Sequence, residues 1–486
     1  MTTQAKLMSN WRWWLCSLLF VATTVNYLDR QVLSLTYEEF IKPQFHWTDA
    51  NYGTITSFFS IFYAVACLFA GKFVDWMGTK KGYLIAIGVW SFGACLHALC
   101  GWATVQFVDG VSSVAAMKAV ENGSNIALAI STTSVYLFLL CRGILALGES
   151  GNFPAAVKIT AEYFPKKDRA FATSIFNAGA SVGALAAPLM IPPLAVKLGW
   201  EMAFIIIGAL GFIWMFFWQF MYEKPEKSKH VNAAELEYIH EDDAAEAAEK
   251  AKAAASEEKP IPMLKCFTYR QTWSFIIGKF FTDGVWWFFL FWAPSYFSNQ
   301  FHAPATSFLG QSLIFTLYVI VTVISIFGGY LPRIFVDKKG MNPYHGRMLA
   351  MLMFAVLPIA SLLAQPLGMH FENPWWVAIL IGIAAAGHQA WSANIFSTVG
   401  DMFPKSTIAT VTGIGAMAGG VGSMIIQKIA GNLFTYAEQA GSAFTFMGFE
   451  GKSAGYYVIF CFCGVAYLIA WCIMKILVPK YKPIVQ

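Results

Sequence analysis

Asn26-Tyr27-Leu28-Asp29-Arg30 sets an acid beside a base inside an apolar stretch that begins near Trp11 and continues past Leu35. Ionisable groups at membrane depth are rare, face a bundle interior or a wet cavity, and mark function by default. Asp29 lies past the middle of its stretch, where a partly desolvated carboxyl could bind and release a proton near neutral pH. Arg30 opposes protonation until an arriving anion occupies it, which is a physical route to coupling a proton to an anion. The plainer alternative is a fixed ion pair that locks two helices. A second base and acid, Arg142 and Glu149, are seven residues apart in sequence. That is nearly two helical turns, so they share a face. Glu149 sits in Gly148-Glu149-Ser150-Gly151-Asn152-Phe153-Pro154. There small residues permit close helix approach, and Pro154 frees a carbonyl. The four charges read as a titrating network. Asp29 and Glu149 take protons, Arg30 grips a substrate anion, and Arg142 holds or releases an acid or serves as a structural partner.

The second half of the chain carries a different polar set. Lys279 and Asp283 have the four-residue spacing of a same-face pair, and Trp286-Trp287 follow. A later apolar stretch holds His388-Gln389-Ala390-Trp391-Ser392-Ala393-Asn394. Amides, imidazoles and indole N–H groups hold hydroxyl-rich ligands, with an aromatic face for the C–H surface of a ring. Lys279, Trp287, His388, Gln389, Trp391 and Asn394 are therefore candidate substrate contacts. Tyr27, Tyr63 and Asn177 are further candidates from the first half. Asp75 and Asp337 lie in two matching loops and read as gating residues that lock or steer rather than touch substrate.

The elements that must position these residues are membrane spans. The chain has 486 residues, 57% hydrophobic and 13% charged, about half the charge of a soluble domain. A span needs roughly 20 apolar residues. Twelve candidates follow: 11–35, 52–72, 82–104, 132–152, 170–194, 200–222, 270–297, 308–336, 346–366, 374–396, 406–433 and 453–478. The first is long enough to span and lacks a cleavage pattern, so it is expected to be a retained helix. Of 33 Lys and Arg, Lys42, Lys118, Lys197 and Lys452 fall on one side, Arg30, Arg142, Lys279 and Lys428 in spans, and all the rest on the other side. The positive-inside bias predicts both termini cytoplasmic. The chain also repeats itself. Phe73-Val74-Asp75 with Lys80-Lys81-Gly82 matches Phe335-Val336-Asp337 with Lys338-Lys339-Gly340, and Phe164-Pro165-Lys166 matches Phe403-Pro404-Lys405. One external insertion, about Thr104–Ser131, reconciles the two offsets. The expected organisation is an N-terminal six-helix bundle over 1–222, a cytoplasmic linker over 223–269, and a C-terminal six-helix bundle over 270–486. Within the linker, Asn232–Lys259 reads as a charged, solvated helix. A smaller external insertion spans about Tyr436–Lys452. The nine cysteines show no disulfide or metal spacing. No cofactor, metal or nucleic acid is expected, and the chain is expected to act as a monomer.

These residues resemble a family. Gly71-Lys72-Phe73-Val74-Asp75-Trp76-Met77-Gly78-Thr79-Lys80-Lys81 looks like the loop signature of the major facilitator superfamily, and Arg142-Gly143…Gly148 resembles its fourth-helix motif. Asn26-Tyr27-Leu28-Asp29-Arg30 is similar to the signature of the anion:cation symporter branch. Two further stretches, from Gly278 through Lys279, Asp283 and Trp286 to Phe288, and from Gly387 through His388 and Trp391 to Phe396, look like bacterial hexuronate transporters. The resemblance implies an all-α membrane protein of twelve helices in two pseudo-symmetric bundles, alternating access, and residence in a bacterial inner membrane. It implies proton-driven import of a sugar acid such as glucuronate or galacturonate, with Asp29 and Glu149 as proton sites and Arg30 as carboxylate anchor. Symport of another monoanion, such as an aldonate, stays open, as does a membrane sensor signalling through the linker. An enzyme is disfavoured, because no nucleophile–base pair or phosphate loop is present.

Overall fold

The structure is a computed structural model that describes residues 8–241, 261–404 and 407–484. Among the described residues twelve helices are long: α1 (Trp11–Thr36), α2 (Asp49–Met77), α3 (Thr79–Phe107), α4 (Asn125–Glu149), α5 (Lys166–Leu198), α6 (Trp200–Met221), α7 (Arg270–Phe301), α8 (Phe308–Asp337), α9 (Pro343–His370), α10 (Pro374–Met402), α11 (Ile408–Ala440) and α12 (Gly451–Leu477). Eleven are long and apolar enough to cross a membrane, and α1 is not among them. Its Asn26, Asp29, Arg30 and Gln31 dilute its hydropathy, but all four are buried in the bundle. Most helices run several residues past the expected spans, because apolar windows mark only the lipid-depth part of a helix.

The repeat governs packing. In the first half α1 packs on α5 and α2 on α4; in the second, α7 packs on α11 and α8 on α10. The halves meet along α2–α11, along α5–α8, and between α1 and α7. Both matching loops turn at a glycine with positive φ, +79° at Gly78 and +62° at Gly340, a conformation that disfavours a side chain.

The α2–α11 seam closes one end of the molecule. A Cβ on Gly53 would lie 2.7 Å from the Gln427 carbonyl oxygen and 2.9 Å from the Gly431 Cα, so only glycine lets these backbones meet. From Ser60 toward this end, hydrogen bonds join the halves: Ser60 Oγ to Ser423 Oγ at 2.9 Å, Tyr52 Oη to the Phe291 carbonyl at 2.9 Å, and Lys452 Nζ to Asp49 at 2.7 Å. A π-helical segment, Tyr37–Ile41, extends α1 here. It brings Glu38 to Ser295 (2.7 Å) and Glu39 to Ser298 (2.9 Å).

Both insertions fold onto this end. The first is shorter than expected, because α3 and α4 extend into it. It carries a short helix, Val114–Met117, and His46 Nε2 contacts the Met117 carbonyl at 2.7 Å. The second contains a two-stranded hairpin, β1 (Thr445–Phe446) and β2 (Phe449–Glu450), a small exception to an all-helical chain. Its central residues Met447 and Gly448 have φ of +48° and +87°, the pattern of a type I′ turn.

The linker departs from the expected solvated helix. Its described helix, Ala233–Ile239, docks on the first half. Glu235 is fully buried and accepts from the backbone N–H of Trp11 (3.0 Å) and Arg12 (3.1 Å), from Arg12 Nη1 (2.9 Å), and from Ser9 Oγ. It thereby satisfies the first turn of α1, whose own N-cap residue Asn10 makes no capping bond. Residues 242–260, which hold the rest of the expected helix, lie outside the described residues. Glu235→Ala leaves the buried Arg12 guanidinium without its carboxylate. It should cost about 3 kcal/mol of stability, read as a lower melting temperature of the detergent-solubilised protein. Glu235→Gln, which keeps an acceptor, should cost less.

Candidate functional site

A cavity of about 940 Å³ lies between the halves. Its wall holds Tyr27 and Arg30 from α1, Tyr63 from α2, Asn177 from α5, Lys279, Asp283, Trp286 and Trp287 from α7, and His388 and Gln389 from α10. It continues past Ser150, Phe153 and Val157, away from the sealed end. A smaller pocket of 210 Å³ adjoins it, sharing Tyr27, Asn177, Ala180, Trp286 and Gln389. Eight of the expected substrate contacts therefore meet in one cavity.

Arg30 is the centre of the first-half wall. Its Nε donates to Glu149 Oε2 at 2.6 Å. Its guanidinium carbon lies 4.6 Å from the Tyr63 ring, 5.1 Å from Tyr27 and 5.4 Å from Trp287, within cation–π range of all three. Glu149 can reach it because α4 ends there and the chain turns into a second helix, Asn152–Tyr163. A Cβ on the preceding Gly148 would fall 2.2 Å from the Trp90 backbone nitrogen. Only glycine lets α4 press against α3 at this level.

Behind Arg30, away from the cavity wall, sit Asp29 and Arg142, both buried. Neither oxygen of Asp29 and neither terminal nitrogen of Arg142 has a hydrogen-bond partner among the described residues. Arg142 lies over the Phe59 ring, 5.3 Å from its centre. Two acids and two bases thus share the interior of the first half, with only the Arg30–Glu149 bond among them in this state.

The second-half wall is built from α7 and α10. Lys279 pairs with Asp283 at 2.8 Å and lies 4.4 Å from the Phe396 ring. His388 stacks on Trp286, with centroids 5.6 Å apart and 10° between planes. The Tyr467 hydroxyl donates to the Thr282 carbonyl (3.1 Å), so its oxygen accepts from His388 Nδ1–H (2.8 Å). That leaves His388 Nε2 as an acceptor on the cavity wall.

Not every candidate lies on the cavity wall. Trp391 is fully buried, edge-on to Tyr467 at 5.5 Å, and Asn394 is buried and donates to the Ala390 carbonyl at 2.8 Å. Asp75 pairs with Lys158 at 2.8 Å, tying the end of α2 to the helix after α4. The side chain of Asp337 lies outside the described residues. Several wall residues were not singled out from the sequence. Ser60, Cys67, Ser392 and Thr412 line the main cavity, and Ser181, Tyr318, Thr322 and Ser325 line the smaller pocket.

Twelve helices in two related bundles around a polar cavity between them define a membrane carrier. The chain belongs to the Major Facilitator Superfamily, whose match runs over residues 19–426. That is a family of transporters and not of enzymes, and the protein is a multi-pass membrane protein. It is 27% identical to the hexuronate transporter of Escherichia coli K12 over 425 residues, covering 87% of each chain. It is 25% identical to the galacturonate transporter of Dickeya chrysanthemi over 351 residues, covering 72% of this chain and 89% of that one. It is 26% identical to the probable galactarate/D-glucarate transporter of E. coli K12 over 444 residues, covering 90% and 91%. A bacterial homologue of the human lysosomal transporter Spinster, in an inward-facing and occupied conformation, shares the fold with a TM-score of 0.66 at 18% identity, covering 96% of this chain and 97% of that one. The D-xylose-proton symporter does so with 0.63 at 15%, at the same coverage.

Proposed function

We propose that the protein is a proton-coupled symporter that imports a sugar acid, with hexuronates such as glucuronate and galacturonate as its substrates, by alternating access. The similarity to hexuronate and galacturonate transporters supports the substrate class, and the Arg30–Glu149 bond at the cavity wall carries the coupling. The first-half cluster of Asp29, Glu149, Arg30 and Arg142 is neutral when both carboxyls are ionised. Each proton taken up adds one positive charge, and a monoanion arriving at Arg30 cancels it. Proton and anion are thus favoured together. Protonation of Glu149 also weakens its hold on Arg30 Nε and frees the guanidinium for a substrate carboxylate. Asp29, buried without a hydrogen-bond partner among the described residues, sheds a costly buried charge when it binds a proton.

The lysine-rich loops mark the open end as cytoplasmic by the positive-inside bias. On this reading both termini are cytoplasmic, the membrane is a bacterial inner membrane, and the cavity faces inward. Asp75, and Asp337 by its matching motif, steer the cytoplasmic gates. The ring hydroxyls of the sugar meet Gln389, Asn177 and His388 Nε2, and Trp287 offers an aromatic face. Trp391 and Asn394 act behind that wall, holding Tyr467 and the backbone of α10.

The test is uptake of labelled glucuronate into liposomes under an inward proton gradient, with and without an ionophore. Accumulation above equilibrium that the ionophore abolishes is expected, and uptake that only equilibrates would remove the coupling. Asp29→Asn is expected to reduce gradient-driven accumulation while leaving exchange of internal for external glucuronate. Full accumulation by this variant would take Asp29 out of the proton path.

A further inference from the structure

We propose that the 210 Å³ pocket beside the main cavity receives the uncharged, hydroxyl-bearing end of the substrate and restricts the transporter to monoanions. This rests on the sugar-acid reading above and narrows it, since similarity alone points to hexuronates and to aldarates, sugar acids with a carboxylate at each end. The pocket adjoins the cavity at Tyr27, whose ring faces the Arg30 guanidinium at 5.1 Å. A substrate whose carboxylate is on Arg30 therefore has its far end within reach of the pocket. The polar lining is Asn177 and Ser181 from α5, Tyr318, Thr322 and Ser325 from α8, and Gln389 from α10. Thr322 and Ser325 donate to carbonyls of their own helix, at 2.8 and 2.9 Å, so their oxygens face a ligand as acceptors. The amides of Asn177 and Gln389 supply donors and acceptors. Among the described residues, no Lys, Arg, His, Asp or Glu lines the pocket.

Hydroxyl groups entering this lining exchange water for neutral hydrogen bonds at little loss. A second carboxylate entering it loses its hydration and meets no cation. Lys279, the other cation on the main wall, is already neutralised by Asp283 at 2.8 Å. The pocket thus selects by what it lacks as well as by what it offers.

The experiment is competition against labelled glucuronate by the purified full-length protein. The competitors are galacturonate and gluconate as six-carbon monoanions, and galactarate and glucarate as dianions. The monoanions should compete within about tenfold of glucuronate, and the dianions at least about a hundredfold more weakly. Thr322→Val keeps the shape of the side chain and removes one acceptor. It should weaken glucuronate about three- to tenfold. Thr322→Lys supplies the missing cation and should shift the ratio of dianion to monoanion affinity at least about tenfold toward the dianion. A merely structural role for Thr322 would leave that ratio unchanged. Dianions that compete as well as glucuronate, or a ratio untouched by either substitution, would overturn the pocket assignment and leave sugar-acid transport standing. Competition by none of the sugar acids would bring down the transport reading itself, and the pocket assignment with it.

Discussion

Glu149→Gln is expected to abolish gradient-driven accumulation of glucuronate while sparing binding and exchange. In the wild-type protein the Glu149 carboxylate occupies Arg30 Nε at 2.6 Å in the state with the cavity open. A neutral amide at this position imitates the protonated acid permanently. The cluster of Asp29, Glu149, Arg30 and Arg142 then carries one more positive charge at every pH at which the others hold theirs. Substrate affinity should be kept or raised, because Arg30 is no longer held by a competing carboxylate. What disappears is the dependence of that release on a proton. With a gradient of one pH unit the wild-type protein can concentrate substrate about tenfold for each coupled proton. The variant should reach only equilibrium, and counterflow should continue. Counterflow lost together with accumulation would mean that the substrate-loaded carrier cannot reorient without the Glu149 carboxylate, and would assign Glu149 to gating. Accumulation at the wild-type level would show that Glu149 carries no proton.

How much of this was readable in the chain depended on whether a residue announced itself by type or by face. Asp29, Arg30, Arg142 and Glu149 stand out because charge in an apolar stretch is costly, and that signal needs no geometry. The repeat of Phe73-Val74-Asp75 and Phe335-Val336-Asp337 likewise implies two related halves, and the packing of α1 on α5 does recur as α7 on α11, but which helices pair had no signal in the motifs. Residues that matter only by orientation are less legible. On α10 the consecutive run His388–Asn394 stands out by residue type, but the wall takes His388, Gln389, Ser392, Ala393 and Phe396, one face of a 3.6-residue helix. Trp391 and Asn394 fall on the other face and are buried inside the second half. The same stripe recurs as Asn177, Ala180, Ser181 and Ala184 on α5, and as Tyr318, Val321, Thr322 and Ser325 on α8. Those hydroxyls and amides are unremarkable singly, and only their spacing separates a polar seam from scattered small residues. The docking of Glu235 on the start of α1 had no local signal, because a buried acid in a linker looks like its exposed neighbours until the helix it caps is in place.

Arg30→Lys retains the charge and should nevertheless lose substrate affinity on the order of a hundredfold. The guanidinium does three things here that an ammonium cannot do together. It donates from one edge to Glu149, keeps a second nitrogen, Nη2, without a hydrogen-bond partner among the described residues, and lays a planar face among Tyr63, Tyr27 and Trp287 at 4.6 to 5.4 Å. A lysine of similar reach has a single point of charge. If that ammonium stays on Glu149 it cannot grip a carboxylate at two points, and if it turns to the substrate it abandons the carboxylate through which the proton acts. Its flexible stem also gives up the aromatic enclosure that holds the charge in place. The measurement is the dissociation constant for glucuronate of Arg30→Lys, compared with Arg30→Ala. Both variants falling by similar factors would establish geometry, rather than charge, as what Arg30 contributes. A lysine variant that binds within about threefold of the wild type would reduce Arg30 to a counter-ion and would shift the carboxylate anchor to Lys279, the remaining cation on the wall.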